Sequence, residues 1–208
     1  MILIGQFDSP FTRRVGIALE LYALPYEHRP WSTWGNAEEL AVYNPLRRVP
    51  TLLLDDGECL IESFAILDWL DEVVGPEKAL IAAEGPARRR CLHVAALATG
   101  LADKAVSLFY ERLLHPEASV KWVDRCRAQI GGVLTRLEGE RGKCLDGYWF
   151  GDSISHADIA VACALRFLLE AHPGAFDLSA FPALAAHARS CERLAVFEKI
   201  SQPFFVQA

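Results

Sequence analysis

The 208-residue chain lacks the usual sequence marks of metal, nucleotide, haem and disulfide chemistry. It has no HExxH, no glycine-rich phosphate loop and no CxxCH, and its six histidines are scattered. Its six cysteines, Cys59, Cys91, Cys126, Cys144, Cys163 and Cys191, stand at least eighteen residues apart. None forms a CxxC or pairs with a histidine at zinc-binding spacing, so they read as reduced, mostly buried small hydrophobes. No segment has the apolar length expected of a bilayer span, and no basic stretch precedes an apolar run at the N-terminus. The expectation is a cytoplasmic protein without a metal or a membrane partner. A net charge of −6 argues against a nucleic-acid surface.

The charge is unevenly placed. Residues 1–80 hold 6 basic and 13 acidic side chains, whereas residues 81–208 hold 15 and 14. Four of the six basic residues in the acidic half form two pairs, Arg13–Arg14 and Arg47–Arg48. Such pairs suit a small anionic ligand, or else they are solvated helix residues.

The first eighty residues alternate between strand and helix signals. Met1–Ile4 suits a buried strand, Pro10–Leu24 a helix, Tyr26–Pro30 a second strand and Glu38–Tyr43 a short helix or turn. Thr51–Leu54 and Cys59–Ile61 flank an Asp-Asp-Gly turn and read as a hairpin. Phe64, Leu67, Leu70 and Val74 follow at helical spacing. The order describes a small α/β domain with helices on a mixed sheet.

"GPEKALIAAEGP" (75–86) reads as a linker, and beyond it strand signals vanish. Leu97, Leu101, Ala105 and Leu108 mark one helix face, and Val123, Ile130, Val133, Leu134 and Leu137 another. Ser155 and Asp158 have capping-box spacing, with Ile154 and Ile159 as a hydrophobic staple, which gives Asp158 a structural role. The expected organisation is residues 1–76 as an α/β domain, 77–86 as linker and 87–208 as an all-helical domain.

Three features of the first domain carry chemistry. Ser9-Pro10-Phe11-Thr12 stands where the first strand meets the first helix; Ser suits the N-cap and Pro the first helical position. Val49-Pro50 opens the third strand: a cis bond there would leave the Val49 backbone free to pair with an extended peptide, whereas a trans bond makes an ordinary loop. Glu62-Ser63 opens the third helix, where free N–H groups suit a carboxylate.

In their order and spacing, "SPFTRRVGIALE", "NPLRRVPTLLLDDGECLIESFAILDWLDE" and "GDSISHADIAVAC" resemble the cytosolic glutathione S-transferases, and among them the serine-type bacterial members. The resemblance covers nearly the whole chain. It implies a thioredoxin-like domain followed by a helical domain, glutathione as co-substrate, and a homodimer. It places Ser9 at the glutathione sulfur, with Phe11 also contacting glutathione or lining the electrophile pocket. Val49, before a cis Pro50, is placed at the cysteinyl backbone, and Glu62 and Ser63 at the γ-glutamyl amine and carboxylate. Arg48 falls near the glycyl carboxylate, where many relatives carry Lys. A small hydrophobic electrophile would sit between the domains, with Phe11, Phe109 and Trp122 as candidates for its pocket.

Elementary energetics agree with Ser9 as the catalytic group. A free thiol has a pKa near 8.5, leaving about 3% thiolate at pH 7, and lowering it by ~2 units takes about 2.7 kcal/mol. A hydroxyl bond to a charged acceptor contributes ~1.5–3 kcal/mol and the helix N-terminus ~0.3–1 kcal/mol. Thr12, at CxxC spacing from Ser9, is the rival sulfur donor. Neither residue forms a mixed disulfide, so protein-thiol exchange at this turn is excluded. Glutathione conjugation, or a related glutathione-dependent substitution, isomerisation or dehalogenation, is the leading expectation. A glutathione-dependent peroxidase or disulfide reductase, and a non-enzymatic binding or stress-response relative, are the alternatives.

Overall fold

The computed structural model describes residues 1–144 and 147–205, so the last three residues of the expected helical domain lie outside it. The first half runs β1 (Ile2–Ile4), α1 (Pro10–Leu21), β2 (Glu27–Arg29), α2 (Ala37–Ala41), β3 (Thr51–Leu53), β4 (Cys59–Ile61) and α3 (Ser63–Val74). The sheet order is β2-β1-β3-β4: β1 pairs parallel with β2 and antiparallel with β3, and β3 pairs antiparallel with β4. This is the mixed sheet of the expected thioredoxin-like fold. Register is set by burial: Leu3 and Leu52 are opposite each other on the core face, with Val15 and Leu19 of α1 and Ile66 and Leu70 of α3 packed on them.

Two details depart from the pattern in the sequence. Helix α1 stops at Leu21, three residues early, because Ala23 turns into the left-handed region (φ 53°) to bring the chain back towards β2. Phe64 keeps helical spacing with Leu67 and Leu70 yet points outward, 39% exposed, with the Arg14 guanidinium 4.6 Å above its ring.

The second half is helical: α4 (Gly85–Leu114), α5 (Val120–Arg141), α6 (His156–Ala171), α7 (Pro182–Glu192) and α8 (Ala195–Lys199). Helix α4 begins at Gly85, so the last two residues of the expected linker lie in its first turn. Helix α4 also corrects the expectation of no membrane-length segment: at 30 residues it is, by length and composition alone, long and apolar enough to span a bilayer. Here its apolar residues serve another purpose. Val94, Ala98, Leu101, Ala105 and Leu108 pack against α5 and α6, where Ile130, Leu134, Val161 and Leu165 meet them.

Helix α6 joins the halves. Ile159, Ala162 and Cys163 pack on Ile17 of α1, with Cys191, Phe197 and Ile200 behind them. The start of α6 is held as the sequence predicts: the Asp158 carboxylate accepts the Ser155 N–H at 2.9 Å, and Ile154 and Ile159 share one cluster. Asp158 also accepts the Trp149 N–H at 2.7 Å, which ties in the loop before α6. All six cysteines are free thiols; Cys59 and Cys144 are half-buried and the others buried.

Neither arginine of the first pair is solvated. Arg13 is 2% exposed and joins α1 to the C-terminal region through Glu192 (2.5 and 2.8 Å) and the carbonyls of Ile200 and Phe197. Arg14 is 1% exposed.

Candidate active site

Ser9 caps α1. Its backbone is extended (φ −67°, ψ 123°), and its Oγ accepts the Thr12 N–H at 3.3 Å. A hydroxyl has one proton to donate as well as lone pairs to accept with. Capping uses only the accepting side, so the Ser9 proton is still available to a ligand. Thr12 is fully buried with an unpartnered Oγ1 and takes no part in lining the adjoining cavity.

The cis Val49–Pro50 bond lies next to this turn. Gly5 (φ 134°) makes the approach possible, because a Cβ there would lie 2.5 Å from Thr12 Oγ1 and 2.8 Å from Val49 Cβ. Buried Asn44 braces the loop, donating to the Arg48 carbonyl (2.9 Å) and to Thr51 Oγ1 (3.2 Å) and accepting the Leu46 N–H (3.0 Å). The Val49 N–H and C=O have no hydrogen-bond partner among the described residues.

Glu62 precedes α3 with φ 67° and ψ 125°, a left-handed backbone that is costly for a non-glycine residue. Ser63 is the first helical residue and is buried; its Oγ accepts from Arg14 Nη1 at 3.4 Å. Arg48 Nη1 lies 3.1 Å from Glu62 Oε1, both side chains 51% exposed, so the cis-proline loop and the start of α3 form one charged rim.

A cavity of about 490 Å³ opens beside Ser9. Ser9, Phe11, Arg48 and Val49 line it; Pro50, Glu62 and Ser63 do not. Phe109 also lines it, as expected, whereas Trp122 does not: it packs on the helical core, with Lys104 6.0 Å from its ring.

Much of the wall comes from residues without a readable signal in the sequence. Trp31 and Trp34 enter from the loop after β2, and Trp34 tilts against Tyr110 of α4 at 5.8 Å. Phe204 arrives from the end of the described chain, edge-on to Phe109 (5.3 Å) and Phe167 (5.5 Å). Asp8, beside Ser9, also lines the cavity, and burial pushes its carboxyl above the ordinary value against the lowering effect of the Phe205 and Ser9 N–H groups. A thiol placed at Ser9 would thus meet a hydroxyl proton, a helix N-terminus and an aromatic enclosure. Among the described residues, no three of His, Cys, Asp and Glu gather as metal ligands.

Comparison with known proteins decides the family. Residues 8–73 match the family model for the glutathione S-transferase N-terminal domain, and residues 120–190 the C-terminal one. The chain belongs to the glutathione S-transferase family. Among curated relatives, the uncharacterised GST-like protein YibF of Escherichia coli (strain K12) is 30% identical, covering 81% of this chain and 82% of that one. A maleylacetoacetate isomerase of Pseudomonas aeruginosa is 32% identical, covering 76% and 77%. Among solved structures, a glutathione S-transferase from Methylobacterium radiotolerans in complex with glutathione sulfonate superposes with a TM-score of 0.89 at 27% identity, covering 100% of this chain and 98% of that one. A family member from Pseudomonas fluorescens Pf-5 with bound glutathione gives 0.83 at 31% identity, covering 98% and 99%.

Proposed function

We propose that the protein is a glutathione transferase in which Ser9 stabilises the glutathione thiolate for attack on a small hydrophobic electrophile. One observation carries this reading: Ser9 caps α1 with its accepting lone pair while its hydroxyl faces the cavity beside the cis Val49–Pro50 bond. Residues 1–76 form the glutathione-binding domain in this reading, and residues 87–208 supply the electrophile wall.

The unpartnered Val49 N–H and C=O suit the cysteinyl backbone of glutathione, and Ser63 at the α3 N-terminus suits its γ-glutamyl carboxylate. Glu62 would hold the γ-glutamyl amine. Arg48, at the cavity rim, would face the glycyl carboxylate, and Phe11 would pack against the bound molecule. The thiolate sulfur then bonds to the electrophile's soft carbon. In a substitution the bond to the leaving group breaks and that group departs with the electron pair; in an addition the π bond breaks and the resulting carbanion takes a proton from solvent. A cytoplasmic homodimer, typical of the family, is the working form in this reading.

A second reading, glutathione-dependent isomerisation, is favoured by the maleylacetoacetate isomerase relative. The wall weighs against a carboxylate-bearing substrate. With Arg48 given to the glycyl carboxylate, Arg47 is the wall's one other guanidinium among the described residues, and it pairs with Glu38 at 3.0 Å. Asp8 and Asp103 add negative charge. The deciding experiment compares a neutral haloaromatic with a cis-unsaturated dicarboxylate in the presence of glutathione. Conjugation of the first without isomerisation of the second supports the transferase. The reverse outcome, or turnover of neither, overturns it.

A further inference from the structure

Among the described residues, Arg14 is the most deeply buried cation without a matching anion. Only 1% of its surface is exposed, its Nε has no hydrogen-bond partner, and no carboxylate lies within 4 Å of the guanidinium among the described residues. Asp71 is the nearby acid, but its oxygens already accept from Tyr22 Oη and from His156 Nε2 (2.9 and 3.0 Å). Arg88 is engaged with Asp68 at 2.6 Å. Burial holds the Arg14 pKa down at about 10, which leaves it charged at neutral pH. A buried charge of this kind costs stability unless something else repays it.

The contacts of the guanidinium show where repayment would come from. Its Nη1 donates to Ser63 Oγ at 3.4 Å, and its carbon lies 4.6 Å from the centroid of the Phe64 ring. Arginine only donates, so this bond occupies a Ser63 lone pair and leaves the hydroxyl proton free. Ser63 Oγ donates to no acceptor among the described residues. The α3 N-terminus, which begins at Ser63, adds partial positive charge at the same point. Hydroxyl proton, helix end and buried cation all favour an anion in front of Ser63.

We propose that Arg14 is a positioning residue for glutathione: it orients the Ser63 hydroxyl outward and supplies the fixed positive charge behind the γ-glutamyl carboxylate. The inference rests on the reading above that Ser63 holds that carboxylate. Arg14 does not touch the ligand; it acts through Ser63 and through a low-dielectric path in which its charge is poorly screened.

The test is calorimetric titration of the full chain with two ligands, glutathione and its analogue in which the γ-glutamyl carboxylate is an amide. Wild type is expected to prefer glutathione. Arg14→Gln is expected to weaken glutathione by about tenfold, equivalent to ~1.4 kcal/mol, while the amide analogue binds as it does to wild type. General damage to the fold would weaken both ligands alike, and that result overturns the proposal. A wild type that does not distinguish the ligands overturns the role of Ser63 and this inference with it. A wild type that distinguishes them and an Arg14→Gln variant that still does so to the same degree overturns Arg14 alone. Should Arg14→Gln fail to fold, Arg14→Lys takes its place: it keeps the charge but loses the planar donor, so selectivity should fall by about threefold. Unchanged selectivity in a folded lysine variant overturns the proposal.

Discussion

The Asp8 carboxylate accepts the backbone N–H of Phe205 at 3.3 Å, closing a span of 197 residues at the mouth of the cavity. Gln202 reinforces it by accepting the Phe7 N–H at 3.2 Å, and Arg166 holds Ser201 (2.8 Å) and the Gln202 carbonyl (3.3 Å). The end of the described chain is therefore fixed against the turn that carries Ser9.

Asp8 makes stability depend on pH. Burial raises its folded pKa above the unfolded value, so the folded chain binds the proton more tightly, and stability falls as pH rises from about 3.8 through the folded pKa. Asp8→Asn keeps the acceptor for Phe205 and removes the buried charge. Its urea midpoint should exceed that of wild type at pH 7, and the gap should close as pH approaches 4.

Ser9→Ala should have two separable effects. Loss of the cap costs ~0.5–2 kcal/mol of stability, read as a lower urea midpoint. Loss of the hydroxyl proton should return the pKa of bound glutathione, followed by thiolate absorbance, towards ~8.5. A depressed thiol pKa that survives the substitution removes Ser9 from the proposed mechanism.

Asp158→Ala should destabilise the chain by about 3 kcal/mol, because it breaks a buried charged network. The carboxylate has no exposed surface and serves the N–H groups of Trp149 and Ser155 together with the Ser155 hydroxyl at 2.5 Å. Asp158→Asn, which keeps one acceptor, should lose less. Denaturant unfolding of the two variants side by side checks the order.

Three buried histidines set the acid side. Burial holds His156, His172 and His187 below the ordinary imidazole value, opposed at His156 by Asp71, at His172 by the Ala105 carbonyl and at His187 by Asp158. Between the lowered folded values and about 6.5 the unfolded chain binds more protons, so stability present at neutral pH is lost as pH falls through that window. The urea midpoint should drop between pH 7.5 and 5.5. His172→Gln, which keeps a donor to Ala105 in place of the 2.9 Å imidazole bond, should shallow that drop.

Local chemistry by itself determined a good part of this molecule. Ser9 before Pro10 specifies a helix start because an N-cap acceptor and a fixed proline φ act on adjacent residues alone. Ser155 and Asp158 specify another for the same reason, and the Asp-Asp-Gly turn specifies the β3–β4 hairpin. The turns beside Ser9, Val49 and Ser63 were legible because each motif is only two to four residues long. Tertiary structure alone decided what lies around them. The cavity wall joins Trp31, Trp34, Phe109, Phe167 and Phe204 from segments far apart in the chain, and aromatic spacing says nothing about which of them meet. Trp122 and Phe109 look alike in the sequence, yet one faces the core and the other the cavity. The arginine pair at 13 and 14 is the sharpest case. Burial of a charge depends on neighbours supplied from elsewhere, Glu192 for Arg13 and Ser63 for Arg14, and no local pattern encodes that a helix arginine will face inward.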